Sequence, residues 1–117
     1  MAEQLNTLAS LLIDTDRLVE AEPLMRRALA ISEKNLGTDH IATGIYYNNL
    51  AHLLDRTGRL LEAETFMRRS LEILRKFAQQ TGRQHRFWHN AVQYYAEILS
   101  KMGLTGDQIS VGLNDIA

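Results

Sequence analysis

The side chains best suited to chemistry come in repeated pairs. Glu20 and Glu22 recur as Glu62 and Glu64, and Arg26 and Arg27 recur as Arg68 and Arg69. Paired carboxylates suit general acid–base work, and paired guanidiniums suit a phosphate or a membrane surface. These groups, however, recur at a fixed shift along the chain, so they mark a repeated fold and not a reaction centre. Glu22 and Glu64 also precede Arg26 and Arg68 by four residues, the spacing of an ion pair on a solvated helix face. His85 and His89 could ligate a metal from one helix face, but no Cys, Asp or Glu sits at ligand spacing beside them. There is no glycine-rich phosphate loop, nucleophile elbow or HExxH motif. The expectation is a non-enzymatic protein with no cofactor and no metal.

Composition narrows the class further. The chain has 117 residues, 45% of them hydrophobic, and 13 Lys+Arg against 14 Asp+Glu for a formal net charge of -1. That balance excludes the basic footprint of a nucleic-acid binder, so no nucleic-acid partner is expected. The absence of cysteine excludes disulfides, thiolate metal sites and Cys nucleophiles. The longest apolar stretches, such as Leu11-Leu12-Ile13, fall far short of a membrane span. Residues Met1 to Asn6 carry neither the basic nor the long apolar region of a secretory signal. One cytoplasmic domain over residues 1–117, without a membrane partner, is expected.

An internal repeat sets the architecture. Shifting the chain by 42 places lays Asn6–Lys34 on Asn48–Lys76 with 17 of 29 residues identical. A third copy needs a shift of 45, which implies three inserted residues near Gln79-Gln80-Thr81. It places Gly58 over Gly103 and His40 over His85, and it fades after Gly103. The repeats are therefore 2–40, 41–82 and a partial, divergent 83–117.

Each repeat has two helical halves. Tyr47, Leu50, Ala51 and Leu54 fall at i, i+3, i+4 and i+7, and Leu18, Ala21, Met25, Ala28 and Leu29 follow the same rule. Helices are expected near 3–14, 18–35, 41–56, 60–78, 84–102 and 107–115. Gly58 can take the left-handed conformation that ends a helix, and Thr38 or Asp39 can cap the next. Pro23 is expected near a helix start, where a missing N–H costs little. The Phe87-Trp88 and Tyr94-Tyr95 cluster should pack a seam and cover the end of the stack.

These features resemble the tetratricopeptide repeat. Small-residue slots hold Ala9, Ala51 and Ala96, then Ala21, Ala63, Ala28 and Ser70, and the turn glycine is present as Gly58 and Gly103. Repeat one departs by carrying Asp16 at that turn. The longer period, with Gly58-Arg59-Leu60-Leu61-Glu62-Ala63-Glu64 and Leu36-Gly37-Thr38-Asp39-His40, is similar to the kinesin light chain type.

The resemblance implies an all-α, right-handed solenoid of antiparallel helix pairs with about two and a half repeats. It also implies a concave groove that binds a peptide or a partner segment. The groove residues would be Asn6, Ser10 and Ile13, then Ile45, Asn48, His52, Asp55 and Arg56, then Gln93, Glu97 and Lys101. Asparagine suits that task because its amide both donates to and accepts from a peptide backbone. The module is expected to be part of a longer repeat array; a regulatory or sensor segment of a larger signalling protein and an oligomerising scaffold are the alternatives. The uncapped helix face near Leu5, Leu8 and Leu12 should favour homo-oligomers, because solenoid ends need polar caps.

Overall fold

Three turns of nearly identical hydrogen bonding set the architecture. In the first, the Arg17 N–H donates to the Leu12 carbonyl at 2.7 Å and the Asp16 N–H to Ile13 at 2.9 Å. Arg59 to Leu54 with Gly58 to Asp55 repeats this arrangement, and so does Leu104 to Leu99 with Gly103 to Ser100. Each is a Schellman closure, which needs a left-handed residue just past the helix. Gly58 (φ 80°) and Gly103 (φ 92°) supply it, and Asp16 takes the same conformation at φ 62°. The departure in repeat one thus leaves the turn intact. An L-residue held there costs about 1–2 kcal/mol. Gly58→Ala should lower stability by about that much, and Asp16→Gly should raise it by up to about 1 kcal/mol. Urea titration of the two variants checks the opposite signs.

The computed structural model describes residues 2–116, so Met1 and Ala117, the ends of the expected span, lie outside it. Its helices are α1 (Ala2–Asp14), α2 (Leu18–Leu36), α3 (Ile41–Arg56), α4 (Leu60–Thr81), α5 (Trp88–Lys101) and α6 (Gly106–Ile116). No strand occurs among the described residues, and no helix there is long and apolar enough to cross a membrane. The three inserted residues lengthen α4 to Thr81, and α5 starts at Trp88, later than the periodicity suggests. The Thr81 hydroxyl bonds both the Phe77 carbonyl and the Arg83 backbone, closing α4 at that point. Pro23 lies inside α2 and not in its first turn.

Capping also differs from expectation. His40, not Thr38 or Asp39, caps α3, its Nδ1 accepting the Ala42 N–H at 3.0 Å. His85 repeats the contact, accepting the Phe87 N–H at 3.2 Å while its ring meets Phe77 edge-on. The aligned histidines are structural twins. Asp39 pairs instead with Lys76 at 3.0 Å.

Helices pair within each repeat, α2 packs on α3, and α4 packs on α5 and α6, in a slab of 37 × 34 × 20 Å. The core is a seam through the stack, with Leu50, Leu53 and Leu54 of α3, Met67 and Leu71 of α4, and Tyr95 and Ile98 of α5 all essentially without exposure. Several polar groups in the seam find partners. Ser32 and Thr43 hydroxyls lie 2.8 Å apart, and because Thr43 donates to the Gly37 carbonyl, Ser32 must donate to Thr43. The Tyr47 hydroxyl donates to Glu33 at 2.8 Å.

Several of the repeated Glu and Arg residues bridge neighbouring helices along the seam. Arg59 reaches back to Glu22 at 2.6 Å, and Arg26 reaches forward to Glu62 at 3.1 Å, closing a four-residue ring between α2 and α4. Burial raises the Glu22 carboxyl, but its bonds to Arg59 and Arg26 outweigh this and hold it below the ordinary value. Glu64, expected on a solvated face, is buried. Its Oε1 takes Arg68 Nη2 at 2.7 Å and the Tyr95 hydroxyl at 2.7 Å. Burial and this bond push the Tyr95 hydroxyl up to about 12.

Candidate functional site

The first helices of the repeats form one side of the slab, linked side by side by polar contacts. The Asn49 amide of α3 donates to Asn6 Oδ1 of α1 at 3.2 Å, and the Tyr94 hydroxyl of α5 donates to Asp55 of α3 at 2.8 Å. Between α3 and α5, with α4 as the floor, lies a cavity of about 390 Å³. Ile45, Asn48 and His52 come from α3, Asn90 and Tyr94 from α5, and Ser70 and Leu74 line the bottom. Phe87 closes one end. The i, i+3, i+4 positions of an α-helix share a face, so 45, 48, 49 and 52 necessarily line one wall.

A second, smaller cavity of about 160 Å³ opens between α1 and α3. Ser10, Ile13 and Asp14 line it from α1, Met25 from α2, and Asn49 and His52 from α3. His52 and Asn49 therefore border both cavities, at the middle of the groove. Its imidazole stacks on Tyr94 with ring centres 3.7 Å apart and 16° between planes.

The candidate residues separate into three groups. Ile45, Asn48 and His52 meet in the large cavity, and Ser10 and Ile13 enter the small one. Asn6 accepts from Asn49, Arg56 bonds Asp16 at 3.2 Å, and Asp55 is enclosed by Tyr94 and Lys101, so these side chains hold helices together. Gln93 and Glu97 are exposed on α5 and line neither cavity. Asn90 was missed, although the 45-place shift that relates the repeats puts it on Ile45. Phe87 and Tyr94, expected to pack the end of the stack, form cavity walls, while Tyr95 fills the seam.

Electrostatics in the groove's middle favour a neutral His52 beside an ionised Asp55. Burial against Tyr94 pushes His52 below its ordinary value, more than Asp55 and Glu97 raise it, and Lys101 adds to the lowering. Burial raises the Asp55 carboxyl, but its bonds to Lys101 and Tyr94 outweigh this and leave it below the usual carboxylate value. Burial and the Asp55 bond push the Tyr94 hydroxyl far up. For all three lowered groups, His52, Asp55 and Glu22, the unfolded chain takes up protons first as pH falls. Stability should therefore be full at neutral pH and fall in two steps. The first begins below 6.5, the ordinary His52 value, and the second below 4.5 and 3.8, the ordinary values of Glu22 and Asp55. His52→Phe, which keeps the stack, should remove the contribution of His52 to the first step in thermal melts run across pH.

The repeated Schellman turns, the small residues at the helix contacts and this groove arrangement coincide with a family profile. A tetratricopeptide repeat profile matches residues 1–76. The chain belongs to the tetratricopeptide repeat family. Such repeats build protein-interaction domains, so the partners implied for this tetratricopeptide domain are proteins. No curated protein matches the sequence.

Proposed function

We propose that this domain binds an extended peptide segment of a protein partner along the α1–α3–α5 groove, anchored in the cavity between repeats two and three. The observation that supports this reading is the lining of that cavity. Ile45, Leu74, Phe87 and Tyr94 offer apolar surface for one large side chain, and Asn48 and Asn90 flank it with amides that can pair with a peptide backbone. Cavities of this size and character are usual for ligand sites. The kinesin light chain type of repeat, the cytoplasmic setting and membership of a longer array belong to the same proposal.

The test is selection of a peptide from a random 12-residue display library against the protein, followed by calorimetry on single variants. Asn48→Ala and His52→Ala should each weaken the selected peptide by about tenfold or more, an energy of about 1.4 kcal/mol or more. Lys76→Ala, outside both cavities, should leave it unchanged. Equal affinity across all three variants would place the binding elsewhere.

A further inference from the structure

One face of α1 duplicates a face that is buried a repeat later. Leu50 and Leu53 of α3, a helix packed between α2 and α4, have no exposure at all. Their counterparts Leu8 and Leu11 on α1 are 48% and 58% exposed, although α1 repeats Asn48, Leu50, Ala51, Leu53 and Leu54 as Asn6, Leu8, Ala9, Leu11 and Leu12. The neighbouring ion pair is duplicated as well. Arg59 and Glu62 dock on Glu22 and Arg26 of the preceding repeat, whereas among the described residues their counterparts Arg17 and Glu20 pair with each other. Among the described residues this face is exposed.

The geometry points to a second copy of this chain as its occupant, paired through antiparallel α1 helices. Gln4, Leu8, Leu11 and Thr15 are spaced 4, 3 and 4 residues apart, so they form one stripe along the helix, and all four are exposed. The stripe is uncharged and runs polar, Leu, Leu, polar, which reads the same from either end. An interface between identical copies about a two-fold must complement itself, and this order does so. Leu8 meets the partner's Leu11 at the centre, and Gln4 meets the partner's Thr15 at each end. The charges agree, since Glu3 at the start of α1 comes toward the partner's Arg17, just past its end. Asp14 is turned into the groove cavity and Asp16 onto Arg56, away from the seam.

Sedimentation velocity from about 10 to about 500 µM reads the association directly, a range that brackets a weak dimer. The wild-type chain should shift from monomer to dimer across it. Leu8→Lys with Leu11→Lys should keep the helical circular dichroism and, at low concentration where the wild type is monomeric, a similar melting temperature, because both sites are exposed, and should weaken the dimer by about 100-fold. The chain has no cysteine, so orientation can be read by oxidation. A mixture of Leu8→Cys and Leu11→Cys chains should cross-link more than either alone. Asn48→Ala should leave the dimer intact, which separates this interface from the peptide groove. A monomer at the highest concentration, a dimer that survives the double lysine variant, or no excess of mixed cross-links would overturn the proposal.

Discussion

Leu50→Ala should destabilise the protein by about 3 kcal/mol or more, while Leu8→Ala should cost less than about 1 kcal/mol. The two leucines hold the same repeat position, with Ala9 and Ala51 after them and Asn6 and Asn48 before them. Leu50 has no exposure, so truncating it removes its transfer energy and leaves a cavity between helices that cannot fully collapse. Leu8 is 48% exposed in the chain by itself, so half of its surface already meets water and a cavity there would be open to solvent. Chemical denaturation at low protein concentration, where the monomer predominates, measures both. A cost for Leu8→Ala close to that for Leu50→Ala would mean that α1 is buried even in the monomer.

Tyr95→Ala should cost about 3–5 kcal/mol, and Tyr95→Phe about 1–3 kcal/mol. Tyr95 is 1% exposed and is the largest fully buried side chain of α5. Its hydroxyl donates at 2.7 Å to Glu64, a carboxylate itself only 9% exposed. Phenylalanine keeps the volume but leaves that buried acceptor with Arg68 alone, and an unmet buried polar group costs about 1–3 kcal/mol. Glu64→Gln retains an oxygen for Tyr95 and gives up only the charge opposite Arg68, which is 54% exposed, so it should cost less than Tyr95→Phe. Denaturation curves for the three variants rank them. Because each repeat touches mainly its neighbours, Tyr95→Ala should unfold α5 and α6 before the rest, seen as early loss of protection there in hydrogen exchange.

Much of the fold was legible because the repeat states it twice. Periodicity placed six helices to within a few residues, and the 42-place shift paired the turns at Asp16 and Gly58. Misplacements have specific causes. The insertion could have lengthened either a helix or a loop, and Thr81 decides for the helix by bonding back to Phe77. The alignment of His40 with His85 points to a structural or capping role, while Thr38 and Asp39 are the commoner capping types; the fold decides for His40, whose Nδ1 reaches the Ala42 N–H. Glu64 looks like Glu22 in sequence. Only the arrival of Tyr95 from the next repeat buries it.

The groove was legible in part for the same reason. Ile45, Asn48 and His52 follow from helical spacing alone, since residues three and four apart share a face. Asn6 and Asp55 share that spacing and are nonetheless consumed by Asn49 and by Tyr94 with Lys101, partners from other helices.

By itself the sequence determined the helix pairs, their order, the turn geometry and the family, because each depends on contacts within about one repeat and the repeat is written out in the residues. Tertiary structure alone decided which of two identical residues is buried, which amide is free to meet a partner, and where the cavity opens. Those properties belong to the space between helices. A leucine, an asparagine or a glutamate at the same repeat position acquires its role from the neighbour that the stack brings against it.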